Sequence, residues 1–170
     1  DDIETVVKAG LACIPSESQY AEMVRDMMAW HHENPTDWQA TWKKAVDKYG
    51  DKEFLKQTNG NIDVRLNGAV VLLGLLYGEK DMEKTVVISM RGGFDSDCNP
   101  SSAGGVLGTM LGKKKLEERF IGKLDRKRKF WFTEYSVDDL IAVCEKLALA
   151  FLKANGGRME DEGTRGIPVV

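Results

Sequence analysis

The sequence predicts an all-α fold, a compact multi-helix domain with short connections. Three observations predict it. Apolar residues recur at helical spacing nearly throughout, serine, threonine or aspartate caps precede several of the apolar runs, and proline or glycine signals separate them. The chain has 170 residues, enough for one domain with a hydrophobic core. With 42% hydrophobic residues, 30% charged residues and 4 prolines, its composition is that of a globular protein rather than a disordered one.

The first helix is predicted in "DDIETVVKAGLACI", where Ile3, Val6, Val7, Gly10 and Leu11 share a face. Acids in its first turn complement the helix dipole. Pro15 ends it, and Ser16 is the expected cap of the next helix, residues 18–33. Its buried stripe is Tyr20, Met23, Val24, Met27 and either Trp30 or His31. "NPTDW" at 34–38 restarts the chain, with Thr36 or Asp37 as cap and Trp38, Trp42, Ala45, Val46 and Tyr49 packing inward.

Residues 56–67 read as a loop around an Asn59-Gly60 turn. Residues 67–77 are apolar and short, which suits a buried strand or a buried helix. Helix is favoured because everything around it is helical. A further helix runs over 80–93 to a Gly-Gly end. Residues 113–135 are irregular and basic, with one aromatic cluster at 130–132. Ser136 caps a strong helix closed by Asn155-Gly156-Gly157, and an extended tail follows at 158–170.

The net charge of -3 argues against nucleic acid as the primary partner. The basic run "KLDRKRK" at 123–129 reads as a solvated loop or helix face, with a phosphate patch as the lesser reading. Cys13, Cys98 and Cys144 are far apart and odd in number, so reduced thiols and a cytoplasmic location are expected. The longest apolar run, "AVVLLGLLY" at 69–77, is too short to span a bilayer, and no membrane partner is expected. His31 and His32 are adjacent and lack the HExxH spacing. Packing at or near the surface is therefore expected of them rather than metal ligation.

The chemistry concentrates in "RGGFDSDCNPSSAGGVLGTMLG", Arg91 to Gly112. Asp95, Asp97 and Asn99 alternate as D-x-D-x-N. An EF-hand loop would need glycine at its sixth position and glutamate at its twelfth, where this chain has Pro100 and Val106. Two readings remain open on spacing alone. Aspartate and asparagine make turns and helix caps, and Pro100 suits a first helical turn. Alternatively, Asp95 and Asp97 converge on a hard cation, which takes oxygen ligands and relieves their repulsion. Behind them, Gly104, Gly108 and Gly112 share a helix face, with Ser101 and Gly105 beside it. Each helical glycine costs about 1 kcal/mol relative to alanine. The stripe therefore predicts close packing on a neighbour, holding the acidic loop rigid.

"GGFDSDCNPSSAGGVLGTMLG" resembles the C-terminal metal-binding motif of the ADP-ribosylglycohydrolase family, the relatives of dinitrogenase reductase-activating glycohydrolase. The "AGLACIPSESQYAEMVRDMMAWHHENPTDWQATW" and "NGAVVLLGLLYGEKDMEKTVVISMRGG" segments resemble helical stretches of the same family. The resemblance covers residues 1–157 and is to the C-terminal half of such a protein. It implies an all-α fold with a centre of two Mg2+ ions, Mn2+ being possible in their place. It also implies ADP-ribosylated proteins or small molecules as substrates, with hydrolysis of an N- or O-glycosidic bond at the ribose. By position, Asp95 and Asp97 would be metal ligands, and Cys98 occupies the place where the family usually has a hydroxyl ligand.

Two departures stand out. A thiol is a softer ligand than a hydroxyl and suits magnesium poorly. In addition, the family's threonine-aspartate-aspartate motif, part of the N-terminal half, does not occur in this chain. The adjacent aspartate pairs, Asp1-Asp2 and Asp138-Asp139, sit at predicted helix starts, where capping explains them. The site is thus expected to be incomplete in this chain alone and to be filled out by an N-terminal half or a second chain. No general base is assigned. A catalytically silent relative, structural or binding ADP-ribose, is the alternative expectation.

Overall fold

The computed structural model describes residues 2–57 and 63–157. The Asn59-Gly60 turn and the tail at 158–170 lie outside the described residues. Among those described, the regular structure is helical, with one isolated bridge between Lys129 and Ser136. The helices are α1 (Ile3–Ala12), α2 (Gln19–Glu33), α3 (Trp38–Tyr49), α4 (Lys52–Gln57), α5 (Val64–Tyr77), α6 (Met82–Arg91), α7 (Cys98–Leu111), α8 (Glu118–Ile121) and α9 (Val137–Ala154). The all-α prediction holds. The chain divides into two units, residues 1–116 and 117–170.

In the first unit α5 is the central element. It is apolar on nearly every side, and such a helix is stable only when enclosed. It packs against α1, α2, α3, α6 and α7. Its own Leu66 and Leu73, and Met23, Met27 and Leu107 of the helices around it, are fully buried. Aspartate side chains cap the surrounding helices: Asp2 accepts from the Thr5 amide at 2.9 Å, Asp37 from Ala40 at 3.0 Å and Asp81 from Lys84 at 2.7 Å. Each such cap satisfies an amide that the helix itself leaves unpaired.

Several boundaries differ from those predicted. Ser18, not Ser16, caps α2, its side chain accepting from the Ala21 amide at 3.1 Å. Tyr20 is exposed rather than part of the buried stripe, which runs through Ala21, Met23, Val24, Met27 and Met28. Residues 64–67 are helical, because Asp63 caps α5 from a buried position. Its carboxylate accepts from the Arg65 amide at 2.7 Å and pairs with the Arg65 guanidinium at 2.6 Å.

The glycines behave differently from expectation. A Cβ on Gly104 would lie 3.4 Å from Val86, and one on Gly108 would lie 3.7 Å from Met82, both ordinary contacts. Gly105 has nothing within 4 Å, and Gly112 serves as the α7 C-cap at φ 71°. The close approach occurs instead between α5 and α6. There a Cβ on Gly74 would lie 2.6 Å from the Thr85 carbonyl oxygen and 2.8 Å from Ser89 Cβ. Thr85 and Ser89 are fully buried, and their small size is what lets the two helices meet.

In the second unit, Ser136 and Asp139 form a reciprocal capping box at the start of α9. The basic run is partly committed: Arg126 pairs with Asp138 at 2.5 Å and Lys129 with Asp139 at 3.4 Å. Leu140, Ile141, Leu147 and Phe151 of α9 are exposed, as are Trp131 and Phe132. Among the described residues, no helix is long and apolar enough to cross a membrane.

Candidate metal centre

The acidic loop joins α6 to α7, and three separate contacts pin it from behind. Trp42 of α3 donates its indole N–H to the Gly92 carbonyl at 2.7 Å. Gly92 lies directly on Val70 of α5, where a Cβ would come within 2.7 Å of a valine methyl. Asn99, buried in the first turn of α7, donates to Asn67 Oδ1 at 2.9 Å and to the Gly93 carbonyl at 3.4 Å. The chain then reverses through Gly93 at φ 80° and Phe94 at φ 62°. A left-handed phenylalanine costs roughly 1–2 kcal/mol. Phe94 is partly buried against the core, which offsets that strain.

This turn brings Asp95, Asp97 and Cys98 together, with ligand atoms all within 4.8 Å of one another. Asp95 accepts from the Cys98 amide at 3.2 Å. Asp97 occupies the N-cap position of α7 yet makes no side-chain capping bond. Capping of the first α7 amide falls to Asp95, and the Asp97 carboxylate lies against Asp95 instead of a backbone amide. Asn99 belongs to the scaffold instead of the cluster.

The electrostatics separate the three side chains. The hydrogen bond shared with Asp97, then the Cys98 amide, holds the Asp95 carboxyl below the ordinary carboxylate range. The hydrogen bond to Asp95, followed by the negative charges of Asp95 and Asp97, pushes the Cys98 thiol above its ordinary value. It is a thiolate, not a thiol, that ligates metals. The two carboxylates offer the oxygen ligands that a hard cation such as Mg2+ takes, whereas the soft Cys98 sulfur suits it poorly.

The aspartate pair Asp138-Asp139 has a structural role, as its sequence position predicts. Asp139 closes the α9 capping box and Asp138 pairs with Arg126. Sequence reasoning missed the loop's supports. Trp42 reads as an inward-packing residue, and nothing in its spacing signals the bond to Gly92. Asn67 falls at the edge of a predicted loop. A cleft of about 400 Å³ adjoins the loop's anchor, lined by Trp38, Gln39, Trp42, Lys43 and Arg91.

The sequence model of one protein family, ADP-ribosylglycohydrolase, matches residues 1–156. Neither the curated proteins nor the solved structures give a match. The matched span takes in the acidic loop and every helix that supports it, and the chain belongs to the ADP-ribosylglycohydrolase family.

Proposed function

We propose that this chain serves in metal-dependent hydrolysis of the N- or O-glycosidic bond of ADP-ribosyl groups, with Asp95 and Asp97 as oxygen ligands. One observation carries the reading: Asp97 stands at a helix N-cap without capping, beside Asp95, on a loop fixed by Trp42, Val70 and Asn99. Carboxylates held near each other by a rigid scaffold are what a cation site requires. A magnesium-class ion bound there would supply positive charge to orient ribose hydroxyls and a water molecule.

The chain's own residues would do the rest of the positioning. Trp42 and Asn99 fix the loop, and the adjoining cleft offers two indoles and two cations, a chemistry suited to an aromatic base and a diphosphate. The remaining ligands, and the second ion of a two-ion centre, would come from an N-terminal half or a second chain. Mn2+ would substitute for Mg2+. The substrate would be an ADP-ribosylated protein or small molecule.

Calorimetric titration tests the metal assignment. Mg2+ or Mn2+ binding should be lost in Asp95→Ala and in Asp97→Ala. Absence of binding even when an N-terminal half or second chain is supplied would overturn it. Release of free ADP-ribose from a modified protein then tests the activity.

A second reading rests on Cys98, whose thiol stands where a hydroxyl ligand is expected. In that reading the protein binds ADP-ribose or serves a structural role and does not turn over. ADP-ribose binding without release of product, in a protein with intact fold and any complementing chain present, would favour it.

A further inference from the structure

We propose that Glu4, His31 and His32 form a second metal site, selective for a single transition-metal dication of the zinc class. The two histidines follow one another on α2, and α1 crosses so that Glu4 faces both. His32 Nε2 lies 2.7 Å from Glu4 Oε1, and His31 Nδ1 lies 4.0 Å from the same oxygen. All three ligand atoms fall within 4.8 Å of one another. A tetrahedral ion with bonds of 2.0–2.1 Å sets its ligands about 3.3 Å apart. The observed spacings bracket that value, so small side-chain rotations would close the set.

A second observation points to a ligand. His31 Nδ1 is buried and makes no hydrogen bond, although its ring is held edge-on to Tyr77 with centroids 4.7 Å apart. A buried polar atom left unpaired is unfavourable, and coordination would satisfy it. Glu4 uses its other oxygen, Oε2, for Lys8 at 3.3 Å, which leaves Oε1 turned to the imidazoles. A cavity of about 350 Å³ opens beside Glu4 and His31, giving an ion and its waters a route in.

Two imidazoles and a carboxylate are borderline ligands that favour zinc, copper or nickel over magnesium. The site therefore differs in chemistry from the all-oxygen pair at Asp95 and Asp97, and it shares no residue with it.

The chain contains two histidines, so every imidazole signal in its NMR spectrum reports on this site. Titrating Zn2+ into the full chain should shift the ring nitrogens of both residues together and saturate at one ion for the pair. The same titration with Mg2+ should leave them unmoved. His32→Gln and Glu4→Gln, both changing side chains that are not part of the buried core, should each weaken Zn2+ binding at this site tenfold or more. In each variant that is read as the concentration needed to shift the remaining imidazole signals. Unchanged helical circular dichroism would show that the fold is intact. Imidazole signals that stay put with Zn2+ in excess, a shift of one ring alone, or unchanged affinity in both variants would each overturn the proposal.

Discussion

Asp63 shows how one side chain sets a helix boundary. Its carboxylate caps α5 and takes both Arg65 Nε and Nη2, at 3.1 and 2.6 Å, from a position 5% exposed. The Arg65 hydrogen bond outweighs burial and holds the Asp63 carboxyl below the ordinary carboxylate range. A depressed carboxyl pKa stabilises the fold above the unfolded value, and that contribution disappears as pH falls through the folded value. Asp63→Ala is expected to cost about 2 kcal/mol at neutral pH, from the lost cap and the stranded guanidinium. The gap between wild type and variant should stay constant down to about pH 4 and narrow below it. Urea unfolding at a series of pH values measures it.

At the scale of elements, helix identity was legible where caps and periodicity agree. Asp37 and Ser136 cap the helices assigned to them, and α6 ends at Gly92 as the Gly-Gly pair predicts. The start of α5 was not legible, because the Asn59-Gly60 signal drew the loop boundary past Asp63. Glycine spacing misled for a physical reason. A stripe on one helix says nothing of how near its neighbour comes, and the near neighbour here faces Gly74. Gly74→Ala should therefore destabilise by about 2 kcal/mol, since the added methyl meets backbone rather than a movable side-chain end. Gly105→Ala, on the open face of α7, should stabilise by about 0.5–1 kcal/mol. Paired thermal and denaturant unfolding of the two variants checks both signs.

For the molecule as a whole, the family was legible from the acidic motif, because Asp95 and Asp97 lie only two positions apart in sequence and need little of the fold to find each other. The supports were not, because Trp42, Asn67 and Val70 reach the loop across long stretches of chain. The second site was hidden for the same reason: His31 and His32 acquire meaning only when α1 brings Glu4 to them. What joins these parts is α5, which touches the loop through Asn67 and Val70 and the core through Leu73. Leu73 is 1% exposed, and Leu73→Ala should cost about 3 kcal/mol in denaturant unfolding. The same variant is expected to weaken Mg2+ binding at the loop although it touches no ligand.

The bond from the Trp42 indole to Gly92 also makes the loop observable by spectroscopy. An indole N–H is a sensitive local reporter, and this one is attached to the carbonyl three residues before Asp95. The chain has four tryptophans, so fluorotryptophan labelling would give a four-line fluorine spectrum. The line absent from Trp42→Phe is the one expected to move when Mg2+ is added, and to stay still in Asp95→Ala. Occupancy of the acidic loop would then be readable without substrate, product or turnover, from a side chain that the ion never touches.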